Sequence, residues 1–376
     1  MKIQIKIIVS LAWLAFYSAE LGAAWTTKRL TNNTGNSLRS KIAVNGSDIY
    51  VVWEDETPGN KEIFFKKSND GGTTWQIAKR LTNNSGSSFG PQIALSGANV
   101  FVVWCDDTTG NYEVFFKKST DGGMTWQASK RLTYNSGNSL YPKIAVSNTN
   151  IYVVWHDNTP GNCEIYFKKS TNGGTSWQAA KRLTNNSGDS GWPCIAVSGS
   201  NVYMAWSDYT SGNFEIYFRK STDGGATWQT AKRLTNNSGG SSFSAIAVSG
   251  SNIHIVWEDF TPGNYEIFCI TSINDGATWQ TAKRLTNNSG SSMQSQIAVS
   301  NANVYVVWED ISPGNWEIYF IKSANGGTTW QSTQRITNDT GDSGGSAIAL
   351  NTTNIFVDYA DNTPGNSEIY LKYSPL

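Results

Sequence analysis

The stretch Ser221-Thr-Asp223-Gly-Gly-Ala-Thr-Trp228-Gln-Thr-Ala-Lys-Arg233-Leu-Thr-Asn-Asn-Ser-Gly239 decides the fold, because the chain writes it repeatedly. Trp25, Trp75, Trp126, Trp177, Trp228, Trp279 and Trp330 recur at intervals of 50 and then 51 residues, each followed by nearly the same text. Seven units fill residues 25–376 without a spacer, so a repeat rather than a domain boundary organises the chain. Each unit carries four short segments rich in β-branched and aromatic residues, separated by clusters of Gly, Asn, Asp and Ser. In the second unit these are residues 92–96, 99–104, 113–118 and 127–133. Asn99-Val-Phe-Val-Val-Trp104 does not alternate with polar residues, which suits a strand covered on both faces. Helical periodicity is absent. Four strands in each unit of about 50 residues predict an all-β, seven-bladed β-propeller of four-stranded blades.

The ends of the chain predict a closed ring. The seventh unit supplies Ala347-Ile-Ala-Leu, Ile355-Phe-Val and Glu368-Ile-Tyr-Leu-Lys-Tyr, then stops at Leu376 where its last strand is due. The missing strand, Trp25-Thr-Thr-Lys-Arg-Leu-Thr31, stands alone before the first unit. Joining the two, so that the N-terminal strand completes the last blade, removes both unpaired edges. An open solenoid would carry distinct capping repeats, and none is visible.

Composition narrows the function. The 376 residues hold 29 basic and 29 acidic side chains, and 15% are charged where soluble domains average about 25%. Without a basic excess, the electrostatic footprint of a nucleic-acid binder is missing. Residues 1–24 read as a signal peptide: Lys2 and Lys6, an apolar run over residues 7–17, then Gly22-Ala-Ala24. The expectation is a secreted or cell-surface monomer, with residues 25–376 forming a single propeller and no membrane span. Cys105, Cys163 and Cys194 fall in neighbouring units, so one disulfide after export stays open. Asn32, Asn83, Asn185, Asn236, Asn287 and Asn338 stand in glycosylation sequons, usable only in a eukaryotic host. No cofactor or metal is expected. Two His and four scattered Cys give no zinc spacing, and the acidic residues match no recognised calcium loop.

The turn before each Trp carries a family resemblance. Ser68-Asn-Asp70-Gly-Gly-Thr-Thr-Trp75 returns around Asp121 and Asp223, with Asn172 and Asn325 in two further copies. Ser272-Ile-Asn274-Asp275-Gly-Ala-Thr-Trp279 shifts the Asp by one, and Asp275 is taken as its box residue. This pattern resembles the Asp-box of the bacterial neuraminidase repeat found in sialidases and other β-propellers. The resemblance implies a structural turn joining the two outer strands of a blade, away from the ligand face. It does not extend to sialidase chemistry, which in that family uses three arginines, one in an Arg-Ile-Pro motif. No Arg-Ile-Pro occurs here. Seven of nine Arg are the repeated one of the fourth strand, Arg219 replaces a third-strand Lys, and Arg39 alone precedes an inner strand.

The opposite face is where the units differ. Its loop between second and third strands keeps the frame Asp-x-Thr/Ser-x-Gly-Asn-x-Glu, while the intervening positions vary. They bring Glu54, Asp107, Tyr112, His156, Tyr209, Phe260 and Trp316 to the face. The loops leading into the inner strands add Arg39, Phe89, Tyr141, Trp192 and Phe243, with Met293 in the sixth unit. Aromatic faces beside polar and acidic groups are what a carbohydrate or peptide site uses. Three readings follow: a non-catalytic binder of glycans or cell-surface ligands, a glycoside hydrolase using Glu54, Asp107, Glu258 or Glu309, and a protein-interaction scaffold.

Overall fold

The computed structural model describes residues 24–376, and the expected leader falls almost wholly outside the described residues. Seven four-stranded antiparallel sheets form the fold. In the first blade the inner strand is Ser37–Asn45, the second Asp48–Asp55, the third Glu62–Ser68 and the outer Lys79–Arg80. Inner strands of successive blades touch, and that of the seventh touches that of the first, so the ring is closed. Closure uses the strand that sequence assigned to it. Thr26–Arg29 pairs with Glu368–Pro375, from Thr26 opposite Tyr373 to Arg29 opposite Tyr370.

The core lies between blades, because each sheet buries both faces. Second strands are buried over nearly their full length. Seven apolar clusters each join two neighbours: Tyr50, Val52, Ile63 and Phe65 of the first blade meet Val100, Val102 and Trp104 of the second. The Trp near the end of each of the first six second strands is 1% exposed, and its indole N–H donates to the Asp two residues on that ends the strand, as Trp53 does to Asp55 at 3.0 Å. Tyr359 takes that place in the seventh blade.

The constant frame of the loops is a buried clamp. Glu113, fully buried, accepts from Arg131 Nη2 at 2.6 Å, from Asn135 N at 3.1 Å and from Asn111 Nδ2 at 3.2 Å. The same Arg–Glu pair occurs in all seven blades, and Arg29–Glu368 at 3.0 Å makes it across the closure. Asp106 accepts from Ser88 Oγ at 2.7 Å, Asn84 Nδ2 at 2.8 Å and Thr108 N at 3.0 Å. Burial pushes its pKa up, but these hydrogen bonds outweigh burial and hold it below the usual carboxylate range.

The repeated outer strand is shorter than the sequence suggests. It holds two residues, such as Lys130–Arg131, instead of 127–133. The next ladder position is satisfied by a side chain, since Val114 N donates to Thr133 Oγ1 at 2.9 Å.

The box turn behaves as a local scaffold. Asp121 accepts from Ser119 Oγ at 2.7 Å and from Thr125 N at 2.8 Å, and Gly123 N donates to Ser119 Oγ at 2.8 Å. A Cβ on Gly123, whose φ is 85°, would come within 2.4 Å of the Phe65 ring of the preceding blade. Trp126 packs edge-on against the same ring at 5.1 Å, so each box locks its blade to a neighbour. The fifth-blade assignment needs correction. Asn274, not Asp275, occupies the box position, accepting from Ser272 Oγ and Thr278 N. Asp275 takes the left-handed place held by glycine elsewhere, with φ 62°, and bridges to Tyr203 and Lys220 of the preceding blade.

Candidate functional site

The box turns share one face with the inner hairpins, as Gly71 N donating to Ser47 O shows. On the other face, the loops after the second strands meet the loops that lead into the inner strands, as in Glu56 N to Asn36 O at 2.9 Å. Here each inner strand is broken by a bulge. Register shifts between Leu38 and Lys41 in the first blade, and at the equivalent place in the other six. One residue of every bulge is left-handed: Arg39 (φ 51°), Gly90 (61°), Tyr141 (52°), Trp192 (48°), Phe243 (51°), Gln294 (56°) and Gly345 (69°). Glycine is the usual occupant of such a position. A larger side chain there costs about 1–2 kcal/mol. Five of the seven blades carry that cost.

A cavity at the axis explains where those side chains go. Arg39, Tyr141, Trp192, Phe243 and Gln294 all line it, with Phe89 one residue before its bulge. The register therefore corrects the sequence alignment: Gly90 and Gln294, rather than Phe89 and Met293, are the counterparts of Arg39. The lining is two-sided. The second to fifth blades give an aromatic arc of Phe89, Tyr141, Trp192 and Phe243, in which the Trp192 and Phe243 rings lie 4.6 Å apart. The sixth, seventh and first blades give Gln294, Gln296, Gly345, Ser346, Arg39 and Lys41. Lys41, Lys143, Gln92 and Gln296, on the inner strands below the bulges, are lining residues that sequence reasoning missed. Their signal was available: at that repeat position the other blades have Cys194, Ala245 and Ala347.

The remaining sequence candidates sit elsewhere. Tyr112 backs Phe89 at 5.1 Å, and Tyr209 and Phe260 are exposed on the outer rim, packed on Phe214 and Tyr265. Trp316 is half-buried outside the cavity lining. Asp107 is occupied, its Oδ1 accepting from Ser87 N at 2.6 Å. Glu54 and His156 are buried and act on the bulges. Glu54 Oε2 accepts from Gly90 N at 2.9 Å, His156 Nδ1 from Trp192 N at 3.3 Å, Glu258 Oε2 from Gln294 N at 3.0 Å and Glu309 Oε1 from Gly345 N at 2.5 Å. The penultimate residue of each of these second strands thus holds the bulge of the next blade. Glu54 also anchors Arg39, at 3.1 Å, and Lys61.

Burial sets the protonation of these supports. It pushes His156 down to about 4, so the ring is neutral and free to accept at Nδ1. It pushes Glu258 and Glu309 up to about 7 and the fully buried Asp358 up to about 6. Glu309 is the one acid of this set that is only half-buried, beside Gly344 and Gly345. All four cysteines are free. Asn32, Asn83, Asn185, Asn236, Asn287 and Asn338 are exposed. Among the described residues, no group of three or more His, Cys, Asp or Glu is placed to hold a metal, and no helix is long and apolar enough to cross a membrane.

The fold is a closed propeller of seven blades, six of them carrying the box turn, around an axial cavity. The chain belongs to the BNR repeat-like domain family, which matches over residues 49–255. Solved structures share the fold at low identity. Phage phi92 endosialidase has a TM-score of 0.57 at 9% identity, covering 94% of this chain and 69% of its own. Trypanosoma rangeli sialidase in complex with sialic acid has a TM-score of 0.57 at 14% identity, covering 93% of this chain and 58% of its own. Polysaccharide lyase Uly1 has a TM-score of 0.62 at 8% identity, covering 89% of each chain. No curated protein sequence matches the chain.

Proposed function

We propose that the protein is a secreted, non-catalytic glycan-binding propeller whose ligand enters the axial cavity. The observation that carries this reading is the placement of Tyr141, Trp192 and Phe243 on left-handed bulges, where glycine would be cheaper. Strain at several equivalent positions, all aimed into one cavity, is the mark of a site. The aromatic arc supplies stacking surface for the apolar face of a sugar ring. Arg39, Gln294 and Gln296 supply directional hydrogen bonds on the facing side. The printed names of the structural neighbours, two sialidases and a polysaccharide lyase, agree with a glycan ligand.

The binding reading is favoured over hydrolysis by the use made of the acids. Glu54, Glu258 and Glu309 each accept from the backbone of the next blade's bulge and Asp107 accepts from Ser87 N, so all four candidate acids are engaged in holding loops rather than poised as a free pair flanking a glycosidic bond. The test is the mature chain, residues 25–376, on a broad panel of immobilised glycans, followed by incubation of any bound glycan with the protein. Selective binding without turnover is expected. Release of a shorter sugar would replace this reading with hydrolysis, and a blank panel with folded protein would favour a protein partner.

A further inference from the structure

Three cations line the axial cavity, and they differ in what neutralises them. Arg39 is paired with Glu54 at 3.1 Å. Lys41 donates to Ser40 O at 2.9 Å and lies within electrostatic reach of Asp358, Glu309 and Glu54. Lys143 has none of this. Among the described residues no carboxylate forms an ion pair with it, and its one polar contact is Gln92 Oε1 at 3.5 Å. It is half-buried beside Tyr141 and Trp192 on the aromatic side of the cavity. Burial, with the Lys41 ammonium second, pushes its pKa down to about 8, so it is still mostly charged at neutral pH.

The fold does not require a lysine there. The equivalent inner-strand residue is Lys41 in the first blade but Gln92, Cys194, Ala245, Gln296 or Ala347 in the other five, all with the same bulge and register. An ammonium taken partly out of water without a counter-charge is unfavourable unless something supplies the charge. The cavity is the open side from which a ligand can supply it.

We propose that Lys143 is an anion subsite of the axial cavity, receiving a sulfate ester or carboxylate carried by a sugar ring that lies against Trp192 and Tyr141. The inference rests on the glycan reading above and narrows it to sugars bearing an anionic substituent. A lysine offers a compact point charge in place of a bidentate fork, so it accepts either oxyanion.

The experiment uses the full mature chain and three oligosaccharides of equal length: carrageenan-derived (sulfate without carboxylate), oligogalacturonate (carboxylate without sulfate) and agarose-derived (neither). Affinity is measured for the wild type and for Lys143→Met. The expected result is that at least one anionic oligosaccharide binds about tenfold more tightly than the neutral one, as a charge-assisted contact gives. Lys143→Met is expected to abolish that preference while leaving binding of the neutral sugar intact. Which anionic arm responds tells sulfate from carboxylate. The variant is also expected to melt at a higher temperature, because it removes a desolvated charge with no partner. Equal binding of all three sugars, or a preference that survives Lys143→Met, would overturn the subsite while leaving the glycan site standing. No binding of any sugar by folded protein would overturn the glycan reading itself.

Discussion

At the scale of the residue, the axial bulges set side-chain function against backbone preference. Gln294 is exposed at φ 56°, in a position where Gly90 and Gly345 do the same backbone work. Gln294→Gly is therefore expected to stabilise the protein by about 0.5–1 kcal/mol, the relief of a left-handed side chain less the entropy of glycine. A shift of the urea midpoint to higher concentration checks this. The acids behind the bulges give a second test. Glu258 is 2% exposed and has hydrogen bonds from Gln294 N and Ser242 Oγ but, among the described residues, no cationic partner. Burial raises its folded pKa to about 7, so the native state binds a proton more tightly than the unfolded chain does. Stability is then lost as pH rises from the usual glutamate range through 7. Glu258→Gln is expected to be more stable than wild type at pH 8, by on the order of 2 kcal/mol, with the gain gone at pH 4. Thermal midpoints across that range would show it. The bulge itself was not legible in the sequence. Phe89 and Met293 look like the counterparts of Arg39 until strand register places Gly90 and Gln294 there, because a one-residue slip leaves the composition of the loop unchanged.

At the scale of the element, constancy and function separate. The frame that recurs in every blade is bonded inward: Glu113 to Arg131, Asp106 to Ser88 and Asn84. Glu113 is fully buried while Arg131 is 23% exposed, so removing Glu113 costs up to about 3 kcal/mol, the lower end for a buried pair. Glu113→Ala is expected to lower the thermal midpoint more than Asp121→Ala, whose carboxylate is on the surface of the box turn. The reverse order would mean that the box, and not the clamp, holds the blade. This division was readable in part from the repeats, since fixed positions hold the hairpins while only some of the variable ones, Arg39, Phe89, Tyr141, Trp192 and Phe243, line the cavity. Two details were not. Asp275 resembles a displaced box residue, yet it is Asn274 that accepts from Thr278, because an amide oxygen serves the turn as well as a carboxylate. Glu54 and His156 look like free surface groups because they vary, whereas each caps the bulge of the next blade with a different acceptor.

At the scale of the whole molecule, the fold follows from counting. Seven units, one strand short at one end and one strand over at the other, close into a ring, and the pairing of Thr26–Arg29 with Glu368–Pro375 is that closure. The strand brings Leu30 into the core and Trp25 against Phe320 at 5.4 Å. Deleting residues 25–31 exposes the edge of Glu368–Pro375 and removes the Arg29–Glu368 pair. The truncated chain is expected to unfold at a markedly lower temperature and to associate through that edge, which size-exclusion chromatography would detect. The cavity is a property of the ring alone, since four different blades build its aromatic arc and the other three its polar side. No single repeat discloses it. That is why the sequence identified most of the bulge residues yet also placed Trp316, which lies outside the lining, at the mouth.

The most direct test of the central claim compares Trp192→Ala with Trp316→Ala on a panel of immobilised glycans. Both residues are variable tryptophans on the same face, Trp192 on a strand bulge and Trp316 in a loop, but only Trp192 lines the cavity. The account predicts selective glycan binding by the wild type, a loss of tenfold or more in Trp192→Ala, as expected for about 1.5 kcal/mol of stacking, and near wild-type binding by Trp316→Ala. Binding that survives Trp192→Ala but is lost with Trp316→Ala would place the site on the rim and contradict the account.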